Sequence, residues 1–330
     1  GLADLIVGAA GNAPAGRSYV VFGKTGNSAI DLSAITNGSG GFVINGQCAD
    51  DRSGLSVAAA GDINGDGLDD LIVGAPYADP AGGSAAGRSY VVFGKTSTGW
   101  AQLSAIATGS GGFVINGESP NDLAGYSVAA AGDVNGDGLA DLIVGAWGSD
   151  PAAGSNAGRS YVVFGRTGSG AIDLSAIANG VGGFVINGEC LQGWSGISVA
   201  ATGDINSDGL TDLIVGAPLV NPYGGAGAGI YAGRSYVVFG KTGGGAVDLS
   251  LVWNGFGGLV ISGQSAYDFA GASVASAGDF NGDGFGDLVI GAPGSDTFEG
   301  PYAGRSYVVF GSSTRLGDIN LSAVASDNRG

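Results

Sequence analysis

A nine-residue pattern, Asp-x-Asn-x-Asp-Gly-x-x-Asp, occurs four times in this chain, starting at Asp62, Asp133, Asp204 and Asp279. The starts are 71, 71 and 75 residues apart, and the extra four residues of the last interval fall after Pro218. A period of this length constrains the fold more than any local propensity does. Each unit is one supersecondary element that must bury its apolar face against the next. The usual inference of about two domains from 330 residues therefore gives way to one repeat domain, 1–330. Its units run over 1–40 (partial), 41–111, 112–182, 183–257 and 258–330.

Oxygen-bearing side chains two apart, followed by glycine, let a tight turn aim successive oxygens at one centre. That donor set suits a hard cation with six to eight oxygen ligands, calcium before magnesium. In the first loop the expected ligands are Asp62, Asn64, Asp66 and Asp70, with the carbonyl of Leu68. The equivalents are Asp133, Asn135, Asp137, Leu139 and Asp141, and then Asp204, Asn206, Asp208, Leu210 and Asp212. The last set is Asp279, Asn281, Asp283, Phe285 and Asp287, so about four Ca²⁺ ions are expected, one per complete loop. An EF-hand is excluded, because position twelve is Val73, Val144, Val215 or Ile290 and the closing acid stands at position nine. The plain alternative is an acidic turn that needs no metal. Four copies with one acid spacing favour the metal.

The run after each loop, such as Leu71-Ile72-Val73-Gly74-Ala75, reads as a short buried strand stopped by glycine. Three further strands recur: Gly41-Phe42-Val43-Ile44-Asn45, Ser56-Val57-Ala58-Ala59-Ala60 and Arg88-Ser89-Tyr90-Val91-Val92. The connector Leu-Ser-Ala-Ile is at most one helical turn. Small-residue runs such as Val128-Ala129-Ala130-Ala131 are expected to be buried on both faces. Four short strands per unit, repeated radially, predict an all-β fold, a β-propeller. A β-solenoid is the weaker alternative, since its coils repeat over far fewer residues.

Val92-Phe93-Gly94, Gly74-Ala75-Pro76 and the acidic loop before that strand together resemble the FG-GAP repeats of the integrin α-subunit propeller and its bacterial relatives. The resemblance covers essentially the whole chain and implies calcium at the loop residues named above. Departures are Gly8-Ala9-Ala10 and Gly145-Ala146-Trp147, which lack the proline, and Ser207 in place of the loop glycine; none removes a ligand.

Composition closes off several functions. With no His, a Ser-His-Asp or Cys-His nucleophile and a His-based zinc site are impossible. A net charge of −17 disfavours nucleic acid and anionic membranes, and most of it belongs to the loops. No apolar run approaches the ~20 residues of a membrane helix. Cys48 and Cys190 hold the same repeat position two units apart, beyond disulfide reach, so free thiols are expected. Asp31, Asp79, Glu118, Asp122, Asp150 and Asp268 are scattered and read as turn or rim residues, so no catalytic pair is expected. The Arg before each Ser-Tyr-Val-Val could form an anion-binding row, but a structural donor role fits five identical placements better.

These readings predict a non-enzymatic, extracellular, calcium-stabilised propeller with a structural role, adhesive or self-assembling. The alternative is a carbohydrate or protein receptor using the variable connectors near Tyr223, Tyr231 and Tyr302. The ends add one expectation. Gly1 to Gly8 matches Gly138 to Gly145, so Asp4 is the last ligand of a loop whose first ligands are missing. Aligning Leu321 with Leu174 puts Gly330 on Gly183, and Gly1 matches Gly209. The 25-residue segment Phe184 to Asp208 then has no counterpart across the junction. Either the natural chain is longer, or a neighbouring subunit covers the edge and builds a filament, tube or ring.

Overall fold

The computed structural model describes residues 2–12, 14–95, 99–222, 230–297, 300–311 and 317–326. Among them the chain folds into five antiparallel sheets that follow one another in sequence, the blades of a β-propeller. The second blade runs Val57–Gly61, Asp70–Ala75, Arg88–Val92 and Gly112–Asn116, from inner strand to outer. The third is Ser127–Gly132, Asp141–Ala146, Arg159–Val163 and Gly183–Asn187. The fourth is Ser198–Gly203, Asp212–Ala217, Arg234–Val238 and Gly258–Ser262. The first blade holds Leu5–Ala9, Arg17–Val21 and Gly41–Asn45, and the fifth Ser273–Gly278, Asp287–Ala292 and Arg305–Val309.

The sheets and the sequence units are out of phase. Each unit opens on its Gly-Phe-Val-Ile-Asn strand, yet that strand closes the sheet of the unit before it, as Gly41–Asn45 pairs with Arg17–Val21. The connectors carry the chain back across the same boundary. Two-residue strands at Ala101–Gln102, Ile172–Asp173, Val247–Asp248 and Ile319–Asn320 pair in parallel with the outer strand of the preceding blade. This added edge covers outer-strand backbone groups that would otherwise stand unpaired. A helical turn of four to six residues follows each, as at Leu103–Ile106 and Leu174–Ala178.

The core lies between blades rather than inside them. Ile72, Val91 and Phe113 of the second blade pack against Leu142, Val144 and Tyr161 of the third, and the pattern repeats at the other joints. The second strand is therefore buried on both faces, which is why it reads as an unbroken apolar run. The inner strands differ from expectation. Ala129 and Ala130 are only half-buried, because these strands run side by side around the axis and one face of each looks onto it. The second to fourth blades come so close to the blades that follow them that the Gly of the second strand leaves no room for a side chain. A Cβ on Gly74 would lie 2.0 Å from the carbonyl oxygen of Gly125 in the next blade. Leu5 of the first blade is 64% exposed, whereas its equivalent Leu142 is buried between blades.

Candidate metal loops and the joints that hold them

Each acidic loop links the inner strand of a blade to the second. Its side chains build the turn by accepting the loop's own N–H groups. Asp62 Oδ1 accepts from Gly65 (2.8 Å) and Asp66 (3.0 Å), and its Oδ2 from Gly67 (2.8 Å). Asn64 Oδ1 accepts from Asp66 (2.8 Å), and Asp66 Oδ1 from Leu68 (2.9 Å). The loops at Asp133, Asp204 and Asp279 repeat most of this network. Gly67, Gly138, Gly209 and Gly284 take φ between 86° and 91°, a left-handed conformation that a residue with a Cβ resists. Ser207 accepts the same strain at φ 63° where the other loops have glycine.

The ninth-position acid faces inward. Asp70 Oδ2 accepts from Ile63 N–H (3.1 Å) and its Oδ1 from Gly94 N–H (2.7 Å), which ties the loop to the turn after the third strand. Asp141, Asp212 and Asp287 do the same, and Asp4 accepts from Gly23 (2.8 Å). Burial pushes the Asp141 and Asp212 carboxyls up to about 6 and raises Asp70; their N–H donors pull the other way. The nearby charges of Asp133 and Asp137 push Asp141 higher still.

The structure thus brings Asp62, Asn64 and Asp66 into one network and keeps Asp70 within electrostatic reach. The oxygens of Asp70 are turned to backbone, and among the described residues no three acidic side chains converge on one point. The donor chemistry, three carboxylates and an amide crowded into one turn, fits a hard divalent cation. Crowding of like charge is what such an ion would relieve.

Three features went unread in the sequence. The apolar second position of the loop plugs the joint: Ile63, Val134 and Ile205 are buried between blades. The loop is also bonded to the next blade, through Arg166 N–H to Ile63 O (3.0 Å) and Lys241 N–H to Val134 O (2.9 Å). The third is a latch around the repeated Arg, whose structural role is upheld. Arg159 Nη1 and Tyr161 Oη both donate to Glu118 Oε2 of the preceding blade, at 2.8 and 2.7 Å. Arg88 and Tyr90 use Gln47 in the same way, Arg234 and Tyr236 use Glu189, and Arg305 and Tyr307 use Gln264. The legible signal was Gln or Glu after the Asn-Gly or Ser-Gly that ends each outer strand, 43 to 47 residues before its Tyr.

Among the scattered acids, Asp31, Asp79 and Asp150 accept local backbone N–H groups, as turn residues do. Glu118, Asp122 and Asp268 are not rim residues: Glu118 belongs to the latch, and the other two are buried. Burial pushes Asp122 up to about 6. Cys48 and Cys190 are free thiols. Tyr223 lies outside the described residues. Tyr302 is exposed, and Tyr231 joins Tyr267 and Phe269 in a ring cluster on a connector.

Repeated blades, latched at each joint and carrying an acidic loop between inner and second strands, define a loop-bearing β-propeller. The chain belongs to the FG-GAP repeat family, which matches residues 53–92, 124–163, 195–249 and 270–309, more than half of its length. It is 34% identical over 169 residues to integrin alpha-5 of Xenopus laevis, covering 51% of this chain and 14% of that protein. It is 37% identical over 196 residues to phosphatidylinositol-glycan-specific phospholipase D of Bos taurus, covering 57% and 22%. Integrin alpha-V of Gallus gallus is 32% identical over 197 residues, covering 59% and 16%. The chain spans less than a quarter of the length of these relatives. No helix among the described residues is long and apolar enough to cross a membrane.

Proposed function

We propose that this chain is a calcium-stabilised, non-catalytic adhesion module that works outside the cell. The observation that carries the reading is the coupling of loop to joint. Three of the four acidic loops send one side chain into the core between blades, and two loops are bonded to the following blade by backbone N–H groups. A cation drawing the loop carboxylates together would brace the joint, and binding to the folded form alone adds stability by linkage. The ligands would be Asp62, Asn64, Asp66, Asp70 and the Leu68 carbonyl, with their equivalents in the other loops. The relatives include both integrins and a phospholipase. The reading as an adhesive module draws on the similarity to integrin alpha-5 and integrin alpha-V. Self-association into a filament, tube or ring belongs to the same reading, because the repeated blades present nearly one surface, which favours repeated lateral contacts. Melting curves in excess calcium and in excess EDTA test the proposal. A melting temperature many degrees higher with calcium is expected, and an unchanged one overturns it.

A second reading, a receptor for a glycan or protein through the variable connectors, is favoured by the exposed rings around Tyr231.

A further inference from the structure

The blades share one backbone, so positions that coincide in the fold but differ in side chain can be compared directly. At the second, third and fourth joints three residues outside the glycines stand in the left-handed region. At the second joint they are Ala85, Asn121 and Leu123, with φ of 49°, 64° and 59°. At the third they are Asn156, Gln192 and Trp194, with φ of 50°, 56° and 55°. At the fourth they are Tyr231, Tyr267 and Phe269, with φ of 53°, 64° and 55°. Bulky side chains resist this conformation. Among the described residues the fourth joint alone fills all three positions with rings.

The rings form a triangle with centroid separations of 6.0, 6.2 and 6.5 Å. Tyr231 and Phe269 lie within 17° of parallel, and Tyr267 stands across them at 66° and 62°. Backbone bonds fix the corner, Tyr267 N–H to Ile230 O at 2.8 Å and Phe269 N–H to Tyr231 O at 3.0 Å. It opens outward, with Tyr231 37% and Tyr267 46% exposed. A group resting above the triangle comes within ~6 Å of all three ring centroids, the reach of a cation–π contact. The field has the matching sign. Asp268 sits between two of the ring residues, Asp296 is near enough to act on it, and the whole chain carries −17. Arg305 is the basic group facing them, and its Nη1 is held by Gln264 Oε1 at 3.1 Å. At the first joint the chain supplies such a pair itself: Arg52, at the position of Phe269, lays its guanidinium over Tyr77 at 4.6 Å.

We propose that the Tyr231–Tyr267–Phe269 corner binds a diffuse organic cation, a quaternary ammonium or a guanidinium. A compact ammonium is more strongly hydrated and gives up its water less readily to a ring surface. This deepens the reading of the chain as an adhesion module and rests on it.

The test titrates the calcium-loaded protein with choline, with N-acetyl-arginine methylamide and with 3,3-dimethylbutanol, the neutral isostere of choline, following tyrosine ring resonances. Tyr231→Ala/Tyr267→Asn/Phe269→Leu gives the fourth joint the residues of the second, which the same backbone already accommodates. Binding of choline, of the arginine compound or of both is expected, weakened roughly three- to thirty-fold in the triple variant. Which cation binds tells a quaternary ammonium source from a guanidinium one. Equal binding of the neutral isostere, binding of neutral sugars in place of cations, or an unaffected triple variant overturns the proposal. Should that variant unfold, the reverse graft Ala85→Tyr/Asn121→Tyr/Leu123→Phe decides: a second equivalent of bound cation supports the corner, and unchanged stoichiometry overturns it. Melting with and without calcium is read separately, so failure of the corner and failure of the module are distinguishable.

Discussion

Arg159 and Glu118 stand 41 residues apart, in neighbouring blades, and meet at 2.8 Å with Tyr161 Oη on the same carboxylate oxygen. The pair is half-buried, so its strength lies in satisfying two donors at once rather than in net Coulomb energy. Glu118→Ala strands a guanidinium and a buried phenol and should cost about 1–3 kcal/mol in urea unfolding. Glu118→Gln copies Gln47 and Gln264 of other joints and should cost much less. Equal losses for the two would show that the latch is not what this side chain supplies.

One latch is incomplete. Arg88 and Arg159 donate through Nε to Asn116 (2.9 Å) and Asn187 (3.0 Å), but the matching residue across from Arg234 is Ser262, and Arg234 Nε is buried without a partner. Ser262→Asn should place an amide oxygen where the other blades have one and stabilise by about 0.5–1.5 kcal/mol. A destabilised variant would mean that Trp253, stacked 3.8 Å from the same guanidinium, leaves no room for it.

Periodicity made the fold legible, because a 71-residue repeat of four short strands has few ways to bury its faces. Strand phase was not legible. Whether Gly41–Asn45 opens one sheet or closes another depends on hydrogen bonds between segments whose sequences look alike from either side. The loop residues were legible as a donor set, since acid spacing survives in any frame. The inward turn of Asp70 was hidden, because its partner Gly94 lies beyond an entire hairpin. Glu118 was misread as a rim acid for the same reason: its partners belong to the next blade.

The two kinds of loop acid should separate on substitution. Asp66 is exposed and bonds only within its turn, so Asp66→Ala should lower the melting temperature in calcium and do little in EDTA. Asp137→Ala should behave alike, because its loop is built the same way. Asp141→Ala removes both acceptors for Val134 and Gly165 N–H and should cost about 2–3 kcal/mol in either medium. If Asp141→Ala were harmful in calcium alone, its structural bonds would be incidental.

Acid gives the sharpest contrast between the metal-free and calcium-loaded protein. Burial pushes Asp122, Asp141 and Asp212 up to about 6, against an unfolded value near ~3.9. Between those values the folded chain binds more protons than the unfolded one, so stability falls as pH rises through that window. In EDTA the melting temperature should therefore climb as pH is lowered from 7 toward 5. Bound calcium favours the ionised form of the loop carboxylates and should hold them below the unfolded value. That contribution is present at neutral pH and lost as pH drops below ~4. From pH 7 to 5 the melting temperature should thus climb more steeply in EDTA than with calcium, where Asp122 still contributes but the loop carboxylates do not. Below ~4 the calcium-loaded protein should lose stability. Parallel slopes would rule out the loop carboxylates as the calcium ligands.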